Sequence, residues 1–200
     1  MDNDSVKERI KDAPAFTSLI DLAAERLGGK VLYATDDFFA EKENLIKPGR
    51  GIFIPDKYTS RGKWMDGWES RRKRTPGHDW CVVQLATTGT IAGFDIDTNF
   101  FLGNHPPFAS VEAGLLEDPS SVEDWEKDVL WEEILSKSPL DAGSHNFYEC
   151  QSDKIYSHVR LHIYPDGGVA RLKVYGEVFK NWIEVDRDEE IDLAAAINGG

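Results

Sequence analysis

The stretch from His158 to Tyr175 restricts the architecture of this chain more than any other. Apolar Val159, Leu161 and Ile163 alternate with His158, Arg160 and His162, which is the two-residue period of a strand. Pro165-Asp166-Gly167-Gly168 follows, a turn signal in which proline presets φ and the glycines accept positive φ. A second alternating run, Val169–Tyr175, comes next. If the two runs form a hairpin, Tyr164 faces Val169, and Val159–Val174, Leu161–Leu172 and Ile163–Ala170 make one apolar face. The other face then pairs His162 with Arg171, Arg160 with Lys173 and His158 with Tyr175. Like charges directly opposed across a ladder are destabilising, so an anionic group, from this chain or from a ligand, should cover that face. If the strands belong to opposite sheets, the pairing fails and the period-two sorting survives.

Other strand signals surround this pair. Val31–Ala34 and Trp80–Ala86 are short apolar runs, and Thr90–Phe100 alternates. Two helices are predicted. Val6–Leu27 reads as a helix broken near Pro14 and stopped at Gly28-Gly29. Ser120–Ile134 reads as another, with a Ser120/Glu123 capping box and Val122, Trp125 and Val129 at helical spacing. Ile191–Ile197 suggests a last helical turn or two. Many short strands with few helices predict an all-β fold, a β-sandwich or jelly roll with a few peripheral helices. One domain is expected over 200 residues: a helical lead-in over 1–28, the jelly roll over 30–180 and a linker-like tail over 181–200.

Charge narrows the function classes. Lysine and arginine number 23 against 36 acids, a net charge of −13, which argues against nucleic-acid and anionic-membrane partners. No apolar run approaches a membrane span, no signal-peptide core opens the chain, and Cys81 and Cys150 lie in no C-x-x-C motif. Reduced cysteines and a cytoplasmic location are expected. A local basic island runs against the trend: Arg61, Lys63, Arg71, Arg72, Lys73 and Arg74 lie between Arg61 and Asp79. It could hold a small anion or pair with the acidic segments. The acids from Glu112 to Glu133 read as a solvated face.

Three constellations carry candidate chemistry. Asp95 and Asp97 project to one side of a strand, close enough to raise one pKa or to grip a ligand rich in donors. Asn99, Gly103, Asn104 and His105 follow, but carboxylates with one histidine are a weak metal signal, and no metal or cofactor is expected. Trp64-Met65-Asp66-Gly67-Trp68-Glu69-Ser70-Arg71-Arg72, with His78-Asp79-Trp80, reads as a Trp-anchored loop with ion pairs or as a pocket rim. No P-loop, dinucleotide glycine motif, G-x-S-x-G elbow or zinc ribbon is present.

From about Phe16 onward the chain resembles the allantoicase family. The stretches that carry the resemblance are Ala34–Ala40 with Asn44-Leu45, Asp66–Arg72, His78–Trp80, Gly93–Thr98 with Gly103-Asn104, Lys137–Leu140 and His158–Gly176. The resemblance implies a galactose-binding-like jelly roll, a homo-oligomer, and hydrolysis of allantoate to ureidoglycolate and urea. Family members usually carry two repeats in tandem, and this chain holds one, its last residues resembling the joint to a second. On that reading Arg71 or Arg171 holds the substrate carboxylate, and Asp66, Glu69 or Asp97 meets the ureido N–H groups. His78 or His162 acts as acid and base, with Glu69 and Asp97 as further catalytic candidates. Asp95, Asn104 and Arg160 complete the binding set. The alternative is a carbohydrate or small-ligand module of the same fold without catalysis.

Overall fold

The computed structural model describes residues 13–180 together with Ala195 and Ala196. The expected turns at Ile191–Ile197, the tail and the first twelve residues fall largely outside them. Twelve strands occur among the described residues: β1 (Ile20–Asp21), β2 (Lys30–Ala34), β3 (Tyr58–Thr59), β4 (Gly62–Lys63), β5 (Trp68–Glu69) and β6 (Asp79–Asp97) in the first half. The second half adds β7 (Phe108–Gly114), β8 (Glu132–Pro139), β9 (Phe147–Glu149), β10 (Ile155–Tyr164), β11 (Gly168–Val169) and β12 (Arg171–Val178). All the pairings are antiparallel.

The two runs expected at Trp80–Ala86 and Thr90–Phe100 are one strand. β6 runs 19 residues without a break, and its two halves serve largely different neighbours. Residues 79–84 and 89–90 pair with β10 on one side, residues 81–84 pair with β2 on the other, and β7 and β8 extend the sheet beyond β10. Residues 89–97 pair with β12, which carries β1, and residues 93–95 pair with β9. These eight strands form one connected sheet with β6 running through both layers of the expected β-sandwich, and β5–β11 and β3–β4 are two-stranded ribbons. Between the layers lies the core, including Trp68, Cys81, Phe94, Ile96, Val111, Leu161, Ile163, Leu172 and Val174. Burying one such leucine contributes about 2 kcal/mol.

β10 and β12 do not form the predicted hairpin. They flank β6 on either side, so His162 lies opposite Trp80 and Ser110, and Arg160 opposite Val82 and Glu112. Arg171 lies opposite Asp97, and Lys173 opposite Asp95. The reversal at Pro165–Gly168 is real, but its outgoing residues Gly168 and Val169 pair with Glu69 and Trp68 before β12 begins. Period-two sorting survives: Val159, Leu161 and Ile163 face the core.

Neither long helix is present among the described residues. Ala15–Ser18 and Glu25–Leu27 are short 3-10 turns separated by β1, because Ile20 and Asp21 pair with β12. Gly28 does end its turn in the left-handed region, at φ 109°. Over 120–134, only Pro119–Ser121 is helical, and β8 starts at Glu132. Local carboxylates take the amides a helix would need. Asp118 accepts from Ser120 N, and Asp128 accepts from Glu123 N and Asp124 N.

Candidate functional site

Of the sequence candidates, His78 lines one cavity and Glu69 and Asn104 line another, and two groups of side chains are built around them. The segment 103–108 borders both cavities, with Gly103 and Asn104 at one and Pro107 and Phe108 at the other.

The first group lies on the polar face of β10. His162 and Arg160 project to the side opposite the core, beside Ser110 and Glu112 of β7. Glu112 Oε2 accepts from Arg160 Nε at 2.7 Å and lies 2.7 Å from His162 Nε2. The anionic cover that the like charges called for is thus a side chain of this protein. Arg160 also donates to the Trp125 carbonyl at 3.1 Å and lies over the Trp80 and Trp131 rings. His78, from the loop before β6, brings Nε2 to 2.8 Å from His162 Nδ1 and packs its ring on Tyr164.

This chain of contacts sets its own proton positions. Burial would lift the Glu112 carboxyl, but hydrogen bonds from His162 and Arg160 outweigh it and hold the group below its usual range. Burial lowers His162, and burial with the nearby Lys73 cation lowers His78, so both imidazoles favour the neutral form. An ionised Glu112 requires His162 to carry its proton on Nε2. His162 Nδ1 must then accept from His78 Nε2–H, which leaves His78 Nδ1 with a free lone pair. His78 borders a shallow cavity of about 430 Å³ together with Phe108, Lys137 and Tyr164. The Lys137 ammonium stands over the Tyr164 ring at 4.4 Å. A base backed by a carboxylate therefore faces an open hollow with one cation at its rim.

The second group lies at the loops around β5. Glu69 and Asn104 line a cavity of about 490 Å³, where Asn104 Nδ2 donates to Glu69 Oε1 at 2.7 Å. Burial raises the Glu69 carboxyl, with the Asn104 bond offsetting part of the effect.

The remaining candidates are engaged with the protein itself. Arg171 is buried and spans Asp66, donating to its carboxylate at 2.8 Å and to its carbonyl at 3.1 Å. Asp97, also buried, is gripped through both oxygens by Arg50. Asp95 lies 2.7 Å from His145 Nδ1, and burial raises its carboxyl despite that bond. No cluster of three or more metal-ligating side chains occurs among the described residues. Arg71 clasps Asp36 at the surface, and Lys73 pairs with Asp79 at 2.6 Å. Two of the island's six cations are thus matched by acids of the chain, while Arg61 donates to the Phe38 carbonyl. Trp68 is fully buried and donates to the Asp36 carbonyl, so the Trp loop is anchored as one of its two readings expected. Both cysteines are free.

Sequence reasoning missed Glu112 and Lys137. Glu112 was counted among solvated acids, yet Ala109, Val111 and Ala113 alternate with Ser110 and Glu112, which is a strand signal. Lys137 lies in one of the stretches that carry the family resemblance but had no assigned role.

Comparison with known proteins follows this geometry. The family model "Allantoicase repeat" matches residues 20–179. A probable allantoicase of Photobacterium profundum is 50% identical over 185 residues, covering 92% of this chain and 55% of that one. The chain therefore spans about half the length of the curated relatives it matches. The crystal structure of allantoicase from Saccharomyces cerevisiae is 34% identical at a TM-score of 0.76, over 91% of this chain and 53% of that one. The module CBM32-3 from a family 31 glycoside hydrolase of Clostridium perfringens is 13% identical, with a TM-score of 0.56 over 83% of this chain and 100% of that one. That last likeness is one of fold alone.

Proposed function

This chain belongs to the allantoicase family, and from that premise we propose that it hydrolyses allantoate to ureidoglycolate and urea at the His78 hollow. Allantoate is a small anion whose carboxylate sits on a carbon bearing two ureido groups. Hydrolysis places the oxygen of water on that carbon and a proton on the departing ureido nitrogen. A single group that takes the proton from water and returns it to the leaving nitrogen meets both needs. His78 Nδ1 has that role, with His162 and Glu112 holding the tautomer and receiving the positive charge that develops. Arg160 positions Glu112, and Lys137 binds the substrate carboxylate. The observation that carries the reading is the unbroken line from Glu112 through His162 to a free His78 nitrogen at a cavity.

The C–N hydrolase class, assembly with further copies and a cytoplasmic place belong to the same proposal. Assembly is supported by the exposed apolar side chains of Ile52, Ile54 and Tyr58. No helix among the described residues is long and apolar enough to cross a membrane.

Urea release from allantoate tests the reading directly. His78→Gln should lower kcat by about 100-fold or more while the chain stays folded. The wild-type rate should rise with pH and level off below the ordinary histidine value, because burial lowers His78. No urea from the wild-type protein would remove the activity, and unchanged turnover in His78→Gln would remove the site.

A further inference from the structure

The cavity at Glu69 has features that the reaction at His78 leaves unused. Three phenylalanines line it, and all three leave their rings partly in water: Phe39 at 38%, Phe53 at 38% and Phe100 at 40% exposure. Phe53 and Phe100 stack on one another, centroids 5.4 Å apart and 25° from parallel, so together they make a flat ledge. Lys63 closes one side, its ammonium 4.4 Å from the Phe53 ring centre. Phe100 also holds φ at 66°, and among the described residues it alone is a non-glycine in the left-handed region. A bulky side chain kept in that conformation with its ring facing solvent is a cost that the core does not explain.

The polar edge of the cavity is equally specific. The Asn104 amide donates to Glu69 Oε1, and Asn104 Oδ1 and Glu69 Oε2 take part in no hydrogen bond among the described residues. We infer that this cavity binds a small neutral planar ring with a lactam edge, lying on the Phe53–Phe100 ledge with its N–H on Asn104 and its C=O on Glu69. Burial raises the Glu69 carboxyl, and in its protonated form the group supplies the O–H donor that a ring carbonyl needs. With that form the edge presents one acceptor and one donor, the complement of adjacent N–H and C=O groups. The ledge supplies stacking, which selects flat molecules. The inference stands apart from the reaction at His78 and does not depend on it.

Calorimetric titration of the chain with uracil tests it, with 1,3-dimethyluracil and galactose as controls. Saturable binding of uracil is expected, at least about 10-fold weaker for the dimethyl compound, which lacks the N–H. Phe100→Gly should bind uracil at least about 10-fold more weakly too. Glycine adopts a φ of 66° freely, so that variant should unfold at the same temperature as the wild type or higher. Asn104→Ala should lose binding likewise. Failure of uracil to saturate, or binding indifferent to methylation and to Phe100→Gly, overturns the proposal. So does galactose binding in place of uracil, which marks a saccharide site. Competition between uracil and allantoate also overturns it, because the cavity would then be the reaction site.

Discussion

His158 lies on the same strand face as Arg160 and His162, but no carboxylate meets it. It is 1% exposed, its Nδ1 lies 2.8 Å from Ser157 Oγ, and its Nε2 has no partner among the described residues. Burial pushes its pKa down from 6.5 to about 4. The unfolded chain therefore takes up a proton between about pH 6.5 and about pH 4 that the folded chain refuses, and stability falls with pH across that window. At the acid end the loss attributable to this side chain is about 3 kcal/mol. Denaturant midpoints for wild type and His158→Gln, compared across that window, check it. The variant should lose less stability on acidification, and equal losses would assign the effect elsewhere. His162, four residues on, has Glu112 and His78 as its partners instead. The same residue type thus becomes a working link or a buried liability according to its spatial neighbours.

At the level of elements, close packing around the Pro165–Gly168 turn is the sharpest constraint. A Cβ on Gly168 would stand 2.0 Å from the ring of Phe101, which is wholly buried, while Gly168 N donates to the Asn104 carbonyl at 2.8 Å. Neither side can move without breaking contacts. Gly168→Ala should cost about 2 kcal/mol and lower the melting temperature by about 5 °C, read by calorimetry or circular dichroism. The turn itself was legible, since Pro-Asp-Gly-Gly encodes a reversal within four residues. Which strand would receive the chain was not, because β6, about 70 residues earlier, comes between β10 and β12. The same limit explains the helix expected at Ser120–Ile134. Its apolar spacing is genuine, and Val129 is buried, but the Trp125 carbonyl and the Trp131 ring meet Arg160, and Glu132 onward pairs with β7. Tertiary pairing overrode a local preference.

Over the whole molecule, the chain carries an excess of 13 negative charges. Its largely buried pairs, Arg171–Asp66 and Arg160–Glu112, are shielded from salt, whereas surface pairs such as Lys127–Asp124 contribute little. Self-repulsion among the unmatched acids is then the main term that salt can change. Raising NaCl from about 10 mM to about 300 mM should lift the melting temperature by about 3 °C, and a fall would show that exposed ion pairs dominate instead. The all-β class was readable from period-two patterning, which depends only on one face being buried. The placement of His78 at one cavity and of Glu69 and Asn104 at another was not readable, because it depends on how the loops fold back over the sheet. The 19-residue strand at the centre of the sheet has an evolutionary consequence. Adding or deleting one residue midway along it would turn every side chain beyond that point to the opposite face, and its partners along both edges would have to shift together. Relatives of this chain should thus change length in connecting loops, while the span from Asp79 to Asp97 keeps its count.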